Sequence, residues 1–161
     1  MILRNQVEWA LHCCSVLAAA PEGTTVATKD LAEFHGVPKE YLSKALQSLS
    51  NAGLLEGTLG PSGGYRLKRP PAKISFLDVV EAVEGQTGTF ACTNVKDNNP
   101  CLKKGQKTSK LCAIARVMYR ADEAWRRELA SMSLEDLGTE LLRNVPKELL
   151  LKAEKWFARG Q

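Results

Sequence analysis

The sequence predicts a mainly α fold with a small β-hairpin, a winged helix-turn-helix domain followed by a long dimerisation helix. Three observations carry this expectation. Two short helical patterns flank a turn at Gly36-Val37. A glycine-rich turn, Gly60-Pro61-Ser62-Gly63-Gly64, joins two strand-like segments directly after the second helix. An apolar stripe at three-four spacing runs through Leu111, Ile114, Ala115, Met118, Ala121, Trp125 and Leu129.

Each element follows in order. Val7, Leu11, Cys14 and Ala18 recur at helical spacing and mark the core face of a helix over 3–20, which Pro21 and Gly23 end. Thr28 reads as the N-cap of a short helix, Lys29 to His35, with Leu31, Ala32 and Phe34 as apolar contacts. Pro38 suits the first position of the next helix, which runs to about Asn51 and buries Leu42, Ala45, Leu46 and Leu49. Leu54-Leu55-Glu56 and Tyr65-Arg66-Leu67 read as the two strands of a wing. Ser75-x-x-Asp78 is a capping box opening a helix to about Glu84. Residues 85–110 lack periodicity, and a loop of that length is usually functional or disordered. Helical pattern resumes from Leu111 to Ala130; Ser133-x-x-Asp136 opens a short helix and Pro146 a last one. This divides the chain into a DNA-reading part (1–84), a loop (85–110) and a helical part (111–161).

Composition is that of a soluble globular protein: 44% hydrophobic and 25% charged residues in a chain of 161. No run of about 18 apolar residues is present, so no membrane span is expected. The N-terminal apolar residues alternate with Arg4, Asn5, Gln6 and Glu8, as in an amphipathic helix rather than a signal peptide, which predicts a cytoplasmic protein. The net charge is +4. It sits less on the reading part than on the loop, where Lys96, Lys103, Lys104, Lys107 and Lys110 face Asp97 alone. No nucleophile–base pairing, nucleotide loop or carboxylate dyad stands out, so an enzyme is not expected.

A reading helix must turn a polar face to the major groove. Lys39, Glu40, Ser43, Lys44, Gln47 and Ser48 supply that face, and Tyr41 can reach a phosphate with its hydroxyl. The wing glycines, Gly63 among them, let backbone amides approach the phosphate chain, with Ser62 beside them. Arg66, Lys68 and Arg69 can hold phosphates. Cysteines number five: Cys13, Cys14, Cys92, Cys101 and Cys112. An odd count without a secretory signal argues against a disulfide framework, and a cysteine-bearing loop then points to metal or redox sensing. Cys13 and Cys14 read as small core residues, His35 as a helix-end residue, and Trp9, Trp125 and Trp156 as packing residues.

The segment DLAEFHGVPKEYLSKALQSLSNAGLLEGTLGPSGGYRL resembles the signature of the Rrf-type winged-helix iron–sulfur transcription regulators, the IscR/NsrR family, over about residues 1–140. The resemblance implies a homodimer that binds double-stranded promoter DNA. It places Lys39, Glu40, Tyr41 and Lys44 at DNA-contacting positions, and Leu59 stands where some members have a wing arginine. Eight residues separate Cys92 from Cys101 and ten separate Cys101 from Cys112, wider than the family's three-cysteine pattern. VEWALHCC and CAIARVM are instead similar to the RsrR-like redox-sensing subgroup. That likeness implies a [2Fe–2S] cluster held by Cys92 and Cys112 of one subunit and by Glu8 and His12 of the other, sensing redox state or nitric oxide. Cys101 falls outside the matched motif and is at most an additional ligand.

Glu8 and His12 are four apart and share one helix face, on the flank of the apolar stripe. Taken alone, such a pair is an ordinary surface contact worth a few tenths of a kcal/mol, roughly. Carboxylate and imidazole can also bind one iron while two thiolates bind the other. The alternative is a winged-helix regulator switched by cysteine oxidation or zinc, without an iron–sulfur cluster.

Overall fold

The computed structural model describes residues 3–60, 63–86, 88–103, 105 and 111–159. Among these lie α1 (Asn5–Ala19), α2 (Thr28–His35), α3 (Lys39–Asn51), β1 (Leu55–Gly57), β2 (Tyr65–Leu67), α4 (Phe76–Glu84), α5 (Ala113–Ser131), α6 (Leu134–Asn144) and α7 (Lys147–Ala158). Short 3-10 turns at Pro71–Lys73 and Val95–Asn98 complete the order.

The core is built from the stripes of α1, α2, α3, α4 and β1. Leu31, Leu42, Leu46, Leu49, Leu55, Val79, Ile74 and Leu134 are fully buried together with Cys13 and Cys14. Helix α1 packs against α3, α4 and α6 at once. Its buried face is therefore wider than one stripe: Val7, Ala10, Cys13, Cys14 and Leu17 are buried, while Leu11 and Ala18 are only half-buried. Burial pushes the Cys13 and Cys14 thiols up to about 12, as inert core residues require.

The N-caps of α2 and α3 differ from the sequence expectation. Thr28 lies inside α2, whose N-cap is Ala27 with no side-chain cap; the Ala27 carbonyl accepts from Leu31 N–H at 3.1 Å. Pro38 is the N-cap of α3 rather than its first residue, and its carbonyl accepts from Leu42 N–H at 3.1 Å. Between them Gly36 adopts the left-handed conformation (φ 63°) that closes α2 cheaply only for glycine.

The wing is an antiparallel pair with Leu55 opposite Leu67, Glu56 opposite Arg66 and Gly57 opposite Tyr65. Its root is sewn to the segment before α2: Val26 and Tyr65 exchange both backbone hydrogen bonds at 2.9 Å. Gly64 makes this approach possible, since a Cβ there would lie 2.4 Å from the Val26 carbonyl oxygen.

The two predicted capping boxes both form, and they lie back to back. Ser75 and Asp78 cap α4, and Ser133 and Asp136 cap α6. Phe76 N–H donates to the Met132 carbonyl and Leu134 N–H to the Ile74 carbonyl, each at 2.9 Å. This double tie fixes the end of α5 to the start of α4. Among the described residues no helix is long and apolar enough to cross a membrane.

Candidate nucleic-acid interface and donor sets

Helix α3 divides by periodicity. Leu42, Ala45, Leu46 and Leu49 face the core, so Lys39, Glu40, Tyr41, Lys44 and Gln47 are exposed on the other side. The Lys44 ammonium lies 5.7 Å from the centroid of the Tyr41 ring, which keeps both groups on one patch. The backbone of α3 is held from behind, where the Gln6 amide donates to the Tyr41 carbonyl at 3.4 Å.

Strand β1 of the wing packs against α3. Arg66 is engaged by its cross-strand neighbour: its Nε and a terminal nitrogen both lie 3.0 Å from Glu56 Oε2. At Gly63 a Cβ would meet the Thr58 carbonyl at 2.4 Å, so the tight wing turn requires glycine. Ser62 lies outside the described residues. Leu59 is fully exposed at the wing tip.

The donor residues lie on different elements. Glu8 and His12 are exposed on α1, as the flank position predicts. Cys112 is the N-cap of α5, and its sulfur accepts from Ala115 N–H at 3.4 Å. Cys92 is half-buried, with its thiol 3.8 Å from Asn94 Oδ1, and Cys101 is exposed. Among the described residues, no three His, Cys, Asp or Glu side chains converge on one point within a single chain. Two thiols, one carboxylate and one imidazole are nevertheless a chemically apt set for a two-iron cluster whose irons differ in their ligands.

A second imidazole joins the α1 donors. The His12 and His35 rings are 5.6 Å apart between centroids, and the buried His35 Nε2 has no hydrogen-bond partner. Burial, and then the neighbouring His12, push the His35 ring below its usual range. Sequence reasoning missed this because twenty-three positions separate the two histidines and only the α1–α2 packing brings them together. Phe34 stacks against Trp156 (5.2 Å) and Phe157 (4.7 Å) of α7, which docks that last helix onto α2. Trp9 and Trp125 are packed against the core.

Exposed apolar residues are concentrated just before α5 and in its first turns. Leu111, Ile114, Val117 and Met118 are all exposed, Ile114 by 72%, while Trp125 and Leu129 further along pack on the core. Of the seven predicted stripe residues, Leu111, Ile114, Met118 and Ala121 are exposed, and Ala115 is buried.

A helix-turn-helix with a polar reading face and a docked wing defines a winged-helix DNA-binding protein. Comparison with known proteins makes this particular. Residues 3–140 match the model of the Rrf2 family, described as iron-dependent transcriptional regulators, and the chain belongs to that family. It is 30% identical over 150 residues to the HTH-type transcriptional regulator NsrR of Geobacillus kaustophilus, covering 92% of this chain and 98% of that one. It is 32% identical over 112 residues to protein rrf2 of Nitratidesulfovibrio vulgaris, 70% of each chain. Among solved structures it shares its fold with CymR, the global cysteine regulator of B. subtilis (TM-score 0.68, 22% identity, 87% of this chain and 98% of that one). T. potens IscR is equally similar in fold (TM-score 0.68, 19% identity, 91% and 93%). The chain is a transcription regulator of this family and, like its relatives, not an enzyme.

Proposed function

We propose that the chain acts as a homodimeric regulator whose affinity for promoter DNA is set by a [2Fe–2S] cluster sensing redox state or nitric oxide. Cys92 and Cys112 of one subunit and Glu8 and His12 of the other hold it. The observation that carries this reading is the placement of the donors. One thiol caps α5 beside an exposed apolar stripe, and the carboxylate and imidazole stand exposed on α1. Covering that stripe with a second copy removes apolar area from water at about 25 cal/mol per Å² and gives each donor set a partner surface. Residues 1–84 then read DNA, 85–110 carry the loop thiol, and 111–161 supply the pairing helix.

When bound, the cluster supplies a change of charge at the joint between subunits. The chain's own residues do the rest. Lys39, Glu40, Tyr41, Lys44 and Gln47 present the groove-reading face, and Ser62, Gly63 and Arg66 the wing. His35 gives a second reading of the imidazole ligand, favoured by its unpartnered Nε2. Cys101 is exposed and dispensable in both readings. Anaerobic purification followed by visible absorption and by iron and sulfide assays tests the cluster. His12→Ala and His35→Ala, assayed in parallel, assign the imidazole: only the ligand's variant loses iron. A colourless, iron-free protein with unchanged DNA binding overturns the reading and leaves thiol switching or zinc; a thiol switch responds to oxidation alike in the parent and both histidine variants.

A further inference from the structure

The start of the long loop is strapped to α5. Thr89 N–H donates to Asp122 Oδ1 at 2.9 Å, and Phe90 stands edge-on to Tyr119 at 5.5 Å. Thr89 is the main reason the Asp122 carboxyl sits below its usual range. The order of these contacts matters. Thr89 meets Asp122 and Phe90 meets Tyr119, so the strand of loop runs back along α5 toward its N-terminus. Cys112 is the N-cap at that end. From Tyr119 to Cys112 is seven helical steps, about 10.5 Å along the axis. Two residues take the chain from Phe90 to Cys92, a reach of at most about 7 Å. A chain continuing in the direction set by Thr89 and Phe90 would bring Cys92 toward the first turn of α5, where Cys112 stands.

We infer that Asp122 and Tyr119 are positioning residues, which hold the loop so that Cys92 is presented to Cys112 before any group is bound. The inference rests on the proposed role of the two thiols as a ligand pair, but the strap itself is a property of the metal-free chain. Its far side reaches the reading domain. Arg126, one turn beyond Asp122, pairs with Glu81 of α4, and α4 packs on α3. A change at Cys92 thus has a contiguous route through α5 to the reading helix.

The test uses the full-length metal-free chain in a Cys101→Ser background. A short bifunctional thiol reagent is applied, and bridged peptides are mapped by mass spectrometry. Bridging of Cys92 to Cys112 is expected in the parent. It should fall several-fold in Asp122→Ala and in Tyr119→Ala, but persist in Asp122→Asn and Tyr119→Phe, which keep an acceptor and a ring. Glu123→Gln, exposed on the same helix, serves as the control for general loosening, and far-UV melting shows that each variant is folded. No bridging in the parent overturns the inference, as does equal bridging in all variants. Bridging that follows the expected pattern in a protein that takes up no iron from iron and sulfide upholds the strap and sinks the cluster reading alone.

Discussion

Gly64→Ala isolates the contribution of the wing root, because the obstacle is steric and lies in backbone. A Cβ at position 64 would stand 2.4 Å from the Val26 oxygen, 2.5 Å from its carbonyl carbon and 2.8 Å from Ala27 N. No flexible side chain can yield, so the wing must back away from the segment entering α2. The two reciprocal Val26–Tyr65 hydrogen bonds, each 2.9 Å, are then stretched or lost. At about 1 kcal/mol per bond the cost is about 2 kcal/mol. For a chain of this size that lowers Tm by about 4–8 °C. Gly138→Ala supplies the opposite sign. Gly138 lies inside α6 with open space around it, so alanine gains about 1 kcal/mol of helix propensity. Circular-dichroism melts read both variants. Fluorescence anisotropy on promoter DNA reads the wing, and Gly64→Ala should weaken binding several-fold with a flatter salt dependence. A Gly64→Ala protein that melts like the parent and binds DNA equally refutes the steric argument and the docked wing together.

Leu46→Ala removes a fully buried side chain behind the reading face and should cost about 2–5 kcal/mol, seen as a lower urea midpoint. Glu56→Ala frees Arg66 from its 3.0 Å partner and should tighten promoter binding, whereas Arg66→Ala should weaken it and reduce the salt slope by about one. Hydrogen bonds from Ser133 hold the Asp136 carboxyl below its usual range. A depressed folded value means stability that is present above the ordinary carboxylate range and lost as pH falls through the folded value. Ser133→Ala should therefore lower Tm at neutral pH, with the gap to the parent closing on acidification below pH 3.8, measured by parallel melts.

What was legible in the sequence is what local chemistry fixes. The capping boxes at Ser75 and Ser133 rest on residues three apart, and both form. The return strand Tyr65–Leu67 follows from alternation after a glycine turn, and the partner strand is displaced by one residue to Leu55–Gly57. The split of α3 into buried and exposed faces follows from the 3.6-residue period. What escaped depends on tertiary placement. Thr28 looked like a cap because threonine favours caps, yet the Ala27 carbonyl takes that place. The approach of His35 to His12 and the docking of α7 on Phe34 have no sequence-local cause. The same holds for Asp122, whose partner Thr89 is thirty-three positions away.

The energetic scale of the strap bears on how a cluster could speak to DNA. A tenfold change in affinity needs about 1.4 kcal/mol. An edge-to-face aromatic pair such as Phe90–Tyr119 supplies about 0.5–1.5 kcal/mol beyond its area. The aromatic pair of one subunit alone therefore sits near that threshold. In a dimer both straps act on one operator complex, and releasing both brings the sum to the scale of a useful switch. This predicts that Tyr119→Ala on one subunit of a mixed dimer gives about the square root of the affinity change seen when both subunits carry it. Anisotropy titrations on tagged heterodimers would measure the ratio. An equal effect from one or two substituted subunits would mean that the straps do not contribute independently, and that the signal travels by another route.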